Sequence, residues 1–237
     1  MMKNERSERD TLISAEENRA MFDGIARHYD AANRALSLGM DRSWRRRAVG
    51  VLKPFSGGRY LDIGTGTGDL VFEIRRQAEG ATVDGIDPSM EMLAVARNKV
   101  VGKGVEFFEA DATALPMADE FYDGIVSGFC FRNIEHRQKA LGEMLRVLKP
   151  GGKLVVLEAT YPVNPLVRLG YRLYTPWVPM IGKIFGGGSA YKYLVDSIEN
   201  FPRAGSVVKM FYEAGFAEVE CKSLTLGTVS IFSGMKQ

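Results

Sequence analysis

From about Arg59 onward, the sequence alternates short apolar runs typical of strands with longer runs typical of helices. The first pair is RYLDIG and DLVFEIRRQAEG, which ends at Gly80; the second is ATVDGID and PSMEMLAVARNKV, in which Pro88 suits a first helical turn. Two more strand candidates, VEFFEAD and YDGIVSGF, precede the helix HRQKALGEMLRVLK and the almost wholly apolar strand KLVVLEAT. This alternation predicts an α/β fold with a parallel, doubly wound sheet.

Three segments depart from the alternation. In FAEVECKSLTLGTVSIFSGMKQ, two strand-like runs flank Gly227 and no helix fits between them, so we expect a terminal antiparallel hairpin. Residues 1–52 look helical and are predicted to form a cap on a domain of residues 53–237, with the basic run of Arg45 to Arg47 interpreted as a solvated face. Residues 161–202, rich in aromatic residues and prolines, form an insertion in that domain.

Composition and charge restrict the kinds of partner that the chain suits and the cellular compartment in which we expect it. The 237 residues carry a net charge of only +2, which predicts no broad nucleic-acid surface. The first residues lack the apolar run of a signal peptide, and no stretch of about 18 apolar residues suggests a membrane span. Cys130 and Cys221 are too few for a disulfide framework, and with His28 and His136 they make no metal centre. We expect a cytoplasmic protein without a metal.

The stretch LDIGTGTGDL places three glycines in five positions, directly after a predicted strand. The spacing Gly64-x-Gly66-x-Gly68 is one residue shorter than that of dinucleotide sites, and no Lys-Ser or Lys-Thr follows as in a P-loop. Glycine lets the backbone approach a ligand closely, and a helix N-terminus near Asp69 can face a carboxylate. The simpler interpretation is a tight strand-to-helix turn.

Two carboxylates follow at the ends of the next two predicted strands. Asp87 is placed to accept two hydrogen bonds from a ribose diol, and Asp111 can accept one from an adenine amino group. A ligand with an amino-acid carboxylate, a ribose and an adenine, but no phosphate, is S-adenosylmethionine. The three features in this order favour a methyltransferase-type cofactor site. The shortened glycine spacing disfavours a nicotinamide oxidoreductase, whereas a cofactor-binding protein without catalysis stays open.

Longer motifs resemble one family of class I methyltransferases. The stretches YDAANRALSLGMDRSW (29–44) and RVLKPGGKLVVLEAT (146–160) are similar to the two signatures of the ubiquinone/menaquinone biosynthesis C-methyltransferases, and FRNIEH and YKYLVDSIENFP are also similar. The resemblance extends from about residue 21 to residue 236. The chain departs from the family pattern at Ala32, Asp41, Thr65 and Thr160, which affects the substrate assignment more than the reaction class.

The resemblance implies a Rossmann-like fold whose mostly parallel sheet has seven strands and ends in the antiparallel hairpin. It implies S-adenosyl-L-methionine as the cofactor, S-adenosyl-L-homocysteine as its product, and C-methylation of demethylmenaquinol to menaquinol in quinone biosynthesis. A second reading is a methyltransferase acting on another lipid-like acceptor, such as a phospholipid amine. The expected cofactor-binding residues are Asp62, Gly64, Gly66, Thr67, Gly68, Asp87, Pro88, Asp111, Ala112, Ser127 and Gly128.

Methylation of a ring carbon requires an aligned displacement at the sulfonium methyl and loss of a proton from a neighbouring phenol. The predicted catalytic residues are Arg132 and Asn133, which follow the fourth strand, and Glu158, which ends the central strand. Arg132 can stabilise a phenolate or form a structural ion pair, and Glu158 can accept a proton or anchor a loop. Weaker candidates are His28 and His136 as bases, Asp111 acting through water, and Tyr191 and Tyr193 as lid residues or local packing.

The insertion has two interpretations. Leu166, Leu169, Leu173 and Trp177 fall at helical spacing, either as a helix packed on the core or as an apolar slot for an isoprenoid tail. In the second case Arg168, Arg172 and Lys183 would face lipid headgroups. The expected partners are therefore a prenylated quinol, a transient contact with the inner face of a membrane, and a second copy of the chain.

Overall fold

A seven-stranded sheet organises the part of the chain that the computed structural model describes, residues 13–100 and 102–237. The strand order is β3-β2-β1-β4-β5-β7-β6, with β1 to β5 parallel and β7 antiparallel to both of its neighbours. The strands are β1 (Arg59–Ile63), β2 (Thr82–Asp87), β3 (Val105–Glu109), β4 (Tyr122–Gly128), β5 (Leu148–Ala159), β6 (Ala217–Leu224) and β7 (Val229–Met235). The predicted α/β sheet and its terminal hairpin are confirmed.

Two layers of helices cover this sheet. On one face lie α3 (Asp41–Leu52), α4 (Asp69–Gln77) and α5 (Met90–Lys99). On the other face lie α6 (Arg137–Val147) and α10 (Ala204–Glu213). The strand order reverses between β1 and β4, so a crevice opens there at the carboxyl ends of the strands.

Two predicted boundaries are wrong, each for a local reason. Pro88 does not lie in the first turn of α5, because Ser89 is the N-cap and its hydroxyl accepts a hydrogen bond from the Met92 amide at 3.1 Å. The predicted helix extended to Lys149, but α6 ends at Val147 and Leu148 begins β5, which starts five residues before KLVVLEAT. The amide of Gly151 donates to the Lys236 carbonyl at 2.8 Å, so residues 150–152 pair with the segment after β7 and belong to β5.

The N-terminal segment is helical where the structure describes it. It contains α1 (Ala15–Ile25), a 3₁₀ turn, α2 (Tyr29–Leu36) and α3; residues 1–12 of the predicted cap lie outside the described range. Ala48 and Val49 of α3 are fully buried in the main core. The predicted solvated face is wrong for Arg45, which is buried and donates to Asp41 at 2.8 Å, one turn earlier in α3.

The insertion folds as α7 (Pro165–Tyr174), α8 (Val178–Ile184) and α9 (Gly188–Asn200). Its predicted apolar stripe, Leu166, Leu169, Leu173 and Trp177, is 57–80 % exposed, so its interpretation as packing on the core is wrong. The Tyr174 hydroxyl donates to the Leu36 carbonyl at 2.8 Å, which ties the insertion to α2. No helix in residues 13–100 or 102–237 is long and apolar enough to cross a bilayer.

Candidate active site

The glycine loop lies at the crevice between β1 and α4. Gly64, Gly66 and Gly68 all have positive φ angles, of 67°, 54° and 86°. Residues that carry a side chain rarely adopt this backbone conformation. A Cβ added at Gly64 would lie 2.1 Å from the Sγ atom of Cys130, in the segment after β4. The loop therefore needs glycine both for its turns and for its close approach to the neighbouring strand.

Asp62 lies in β1 beneath this loop and is 1 % exposed. Its Oδ2 atom accepts a hydrogen bond from the Thr65 hydroxyl at 2.7 Å, whereas Oδ1 is buried and has no partner among the described residues. Burial raises the pKa of Asp62 to about 7. A buried carboxylate with one unpaired oxygen fits a cationic ligand group such as an ammonium.

Asp87 joins the end of β2 to the glycine loop. Its Oδ2 accepts from the Gly66 amide at 2.8 Å and its Oδ1 accepts from the Ser89 amide at 2.9 Å. Burial raises the pKa of Asp87 to about 6. Each carboxylate oxygen has a second lone pair, so the group retains the capacity to accept from two ligand hydroxyls.

The remaining predicted cofactor residues are of two kinds: some are exposed, and the others are packed or hydrogen-bonded within the protein. Asp111 and Pro88 are exposed, and Asp111 accepts from the Thr113 amide at 2.6 Å. Ala112 packs against the core beside β3. Ser127 is fully buried and donates to the Ile63 carbonyl at 2.8 Å, so its hydroxyl is bound within the sheet. At Gly128, an added Cβ would lie 2.6 Å from Leu70 of α4.

Thr67 connects the loop to the N-terminal helices. Its hydroxyl donates to Asp30 of α2 at 2.5 Å, and its carbonyl accepts from the Lys99 ammonium at 3.0 Å. Lys99 also forms an ion pair with Asp30. Neither Asp30, which lies in the first signature, nor Lys99 was singled out from the sequence, because residues in three separate helical and loop segments make this contact.

Arg132 and Glu158 form a buried ion pair, with Nη1 2.6 Å from Oε1 and side chains 5 % and 0 % exposed. Glu158 also accepts from the backbone amides of Arg132 and Ala159, at 3.0 and 2.8 Å. Arg132 in turn donates to the Phe129 carbonyl at 2.6 Å and to Ser197 of α9 at 3.2 Å. This geometry favours the anchoring interpretation of Glu158.

A chain of polar side chains spans from α1 to the segment after β4. The Tyr193 hydroxyl of α9 accepts from the Asn18 amide at 3.2 Å and donates to the Asn133 amide oxygen, also at 3.2 Å. Tyr29 lies against the loop, since a Cβ at Gly66 would be 3.9 Å from its ring. Burial raises the pKa of Tyr29, while the nearby Arg45 and Arg132 charges lower it. Tyr29 opens the first signature, but it was not singled out from the sequence.

The other predicted bases lie apart from this arrangement. His28 and His136 are both exposed, outside the buried cluster around Arg132. Burial raises the pKa of the Cys130 thiol, which favours its neutral form under the loop. Within the described ranges, no group of three or more His, Cys, Asp or Glu side chains is arranged to hold a metal ion.

The strand order, the positive-φ glycine loop after β1 and the carboxylates in β1 and at the end of β2 define a class I, S-adenosylmethionine-dependent methyltransferase. The chain belongs to the ubiE/COQ5 methyltransferase family, whose family model matches residues 11–236.

Similar proteins agree with this assignment. The chain is 45% identical to the demethylmenaquinone methyltransferase of Thermus thermophilus over 90% of this chain and 99% of that protein. It is 43% identical to the ubiquinone/menaquinone biosynthesis C-methyltransferase UbiE of Syntrophotalea carbinolica, over 93% and 94% of the two chains. The predicted family, methyltransferase activity and cofactor are confirmed.

Solved structures share the fold at low identity. The methyltransferase in complex with the Haloferax volcanii Trm112 activator superposes with a TM-score of 0.66 at 21% identity, covering 90% of this chain and 96% of that one. Phosphoethanolamine N-methyltransferase 2 of Haemonchus contortus, solved with S-adenosyl-L-methionine, gives a TM-score of 0.61 at 18% identity, covering 81% and 52%. At these identities the likeness concerns the fold alone.

Proposed function

We propose that this chain methylates a ring carbon of a reduced, prenylated quinone precursor, converting demethylmenaquinol to menaquinol. The relatives with 43% and 45% identity over nearly their full lengths carry names of this activity. The observation that carries the proposal is a guanidinium fixed in a buried position beside the glycine loop. Arg132 is held there by Glu158 and donates to Ser197 of α9, and we assign it to the phenolate that must form during methylation.

The cofactor supplies a methyl group on a sulfonium, an electrophile that needs alignment more than activation. The unpaired Oδ1 of Asp62 is assigned to its ammonium group and Asp87 to its ribose hydroxyls. The exposed carboxylate of Asp111 is assigned to the adenine amino group. The three loop glycines leave the space in which the backbone meets the ligand.

Arg132 stabilises the developing phenolate and does not take the proton, because a guanidinium stays protonated. Glu158 keeps Arg132 in place, since its carboxylate is fully buried and already accepts three hydrogen bonds from Arg132 and Ala159. Asn133 positions the same edge through its contact with Tyr193. We assign no proton acceptor among these three residues.

Transfer of a labelled methyl group to a reduced demethylmenaquinone analogue tests the proposal, with a phosphatidylethanolamine control in parallel. We expect labelling of the quinol only. An Arg132→Lys variant keeps the charge but not the forked geometry, so we expect slow turnover with S-adenosylhomocysteine binding retained in calorimetry. Labelling of the phospholipid instead of the quinol would contradict the assignment, and so would an unchanged turnover in the variant.

We also propose that the insertion, residues 161–202, is a cover that meets the membrane holding the substrate, above a cap formed by the N-terminal helices. Its exposed apolar face comprises Leu166, Leu169, Leu173, Trp177, Met180 and Ile184. Arg172 and Lys183 are exposed on the same helices, whereas Arg168 donates to the Val163 carbonyl. An apolar face on helices that also carry exposed cations fits an anionic lipid surface.

Co-sedimentation with vesicles containing phosphatidylglycerol tests this face. We expect wild type to bind and Leu169→Ser/Trp177→Ser to bind several-fold more weakly, since both side chains are more than half exposed. Phe55→Ser is the matched control, because Phe55 is equally exposed but precedes β1 at the opposite edge of the sheet. Equal binding of all three proteins would contradict the proposal. Dimerisation that is lost in the double variant would instead assign the face to a second copy of the chain.

A further inference from the structure

One face of α9 contacts Arg132 and Asn133, the two predicted catalytic residues that follow β4. The Ser197 hydroxyl accepts a hydrogen bond from Nε of Arg132 at 3.2 Å. The Tyr193 hydroxyl, one turn earlier in the helix, donates to the Asn133 amide oxygen, also at 3.2 Å. Residues four positions apart lie on the same face of a helix, so this face of the cover binds two consecutive residues of the proposed acceptor site.

The Arg132 guanidinium is bound by the protein at Nη1 and Nε. Nη1 donates to the Phe129 carbonyl and to Oε1 of Glu158, both at 2.6 Å, and Nε donates to Ser197. Within the described ranges Nη2 makes no hydrogen bond, and it is not sealed from solvent although the side chain is only 5 % exposed. An unpaired donor that solvent can reach, on a cation that is otherwise bound, is available to a ligand acceptor.

The Ser197 hydroxyl has a fixed direction. It donates to the Leu194 carbonyl at 2.9 Å, one turn earlier in α9, so only its lone pairs are left for Arg132. Ser197 is 3 % exposed, which limits competition from water for this contact. A guanidinium is planar. Glu158 and Phe129 hold its corner at Nη1 and Ser197 holds its corner at Nε, and together these contacts fix the direction of the third corner, Nη2.

We propose, on the basis of the proposed function, that Ser197 is a positioning residue for methyl transfer. It holds the guanidinium of Arg132 so that Nη2 donates to the ring oxygen that becomes a phenolate. A donor that is already oriented stabilises developing charge more than one that must turn toward it, because no reorganisation accompanies the reaction. Since Ser197 belongs to the cover, residues 161–202, the cover contributes to the geometry of the catalytic site.

The ionisation of a bound chromogenic naphthol tests this without depending on turnover. The probe is 4-nitro-1-naphthol, whose phenolate is visible by absorbance, titrated with pH on the protein loaded with S-adenosylhomocysteine. We expect wild type to ionise the bound probe at lower pH than water does. Ser197→Ala is expected to lower the ionisation constant of the bound probe about 10-fold, the effect of one misdirected hydrogen bond from a charged donor. The affinity for S-adenosylhomocysteine is expected to stay constant.

A double-mutant cycle separates positioning from packing. If Ser197 acts through the guanidinium, Ser197→Ala should have little further effect in an Arg132→Lys background, because lysine has no planar group for the hydroxyl to orient. The matched control is Ser230→Ala, since Ser230 is also buried and its hydroxyl pairs with that of Thr160 at 3.1 Å. This control is expected to leave the ionisation of the probe unchanged.

Three results would overturn the inference. They are a Ser197→Ala protein that ionises the probe like wild type, effects of the two substitutions that add in the double variant, and a wild type that leaves the ionisation of the probe as it is in water. The expected result in a protein that does not methylate the quinol would overturn the proposed function alone.

Discussion

Replacement of Glu158 by glutamine tests whether this carboxylate anchors Arg132 or accepts a proton. The substitution keeps the size of the side chain and removes its charge. Arg132 then remains 5 % exposed without the anion that lies 2.6 Å from its Nη1 atom. An anchoring role predicts a large loss of stability, whereas a proton-accepting role predicts loss of methyl transfer at normal stability.

The magnitude follows from the geometry of the pair. At an effective dielectric constant of about 20, two unit charges at the 2.6 Å separation attract by about 6 kcal/mol. Desolvation offsets much of this in the intact pair, but loss of one partner leaves a buried charge and costs about 3–5 kcal/mol. Arg132 keeps its acceptors at Phe129 and Ser197, so we expect a value near 3 kcal/mol.

Urea unfolding followed by tryptophan fluorescence measures this loss. The matched control is Glu213→Gln, which breaks the exposed Glu213–Lys209 pair of α10 and should cost less than about 1 kcal/mol. A Glu158→Gln variant as stable as that control would refute the anchoring argument. Complete loss of methyl transfer at unchanged stability would identify Glu158 as the proton acceptor.

Two further predictions concern the glycine loop and the carboxylate beneath it. Gly64→Ala should weaken S-adenosylhomocysteine binding at least about 10-fold in calorimetry, because its Cβ would meet Cys130 at a positive φ, whereas Gly50→Ala, in open space on α3, should stabilise the chain by about 0.5–1 kcal/mol. Burial raises the pKa of Asp62 to about 7, so the folded chain retains a proton that the unfolded chain releases near its ordinary pKa. Wild-type stability at this site is therefore lost as pH rises toward about 7, and Asp62→Asn should gain about 2–3 kcal/mol relative to wild type between about pH 5 and pH 8 in urea unfolding; a difference that is constant with pH would contradict this.

Local features of the sequence predicted the sheet and the tight turn that follows β1. Glycine tolerates positive φ, so the Gly64-x-Gly66-x-Gly68 spacing indicated a tight turn whose angles the structure then shows. The absence of a helix pattern around Gly227 likewise predicted the hairpin that β6 and β7 form. Such features depend on one or a few neighbouring residues, which a single sequence displays.

Features that depend on pairing between distant segments were not predictable in the same way. Arg45 is one of three consecutive arginines, and its contacts with Asp69 of α4 and with the Phe129 ring after β4, besides Asp41 in its own helix, distinguish it from the exposed Arg46. The helical spacing in α7 indicated an apolar face, but the same spacing suits a core and a membrane-facing surface. Which of the two applies is decided by what packs against the helix, and no residue of α7 is buried.

The N-terminal helices bring the first signature, residues 29–44, to the glycine loop, although it lies well before the loop in the chain. Asp30 of α2 binds Thr67 of the loop, and Asp23 of α1 accepts from Ser89 at the start of α5, at 2.5 Å in both cases. On its other side the same segment reaches the cover, through the Asn18–Tyr193 contact. A single helical segment thus forms a wall common to the cofactor loop and the proposed acceptor site. Because both sites share this wall, we expect a substitution in it to affect both at once, and Asp30 places the first signature, residues 29–44, in this wall.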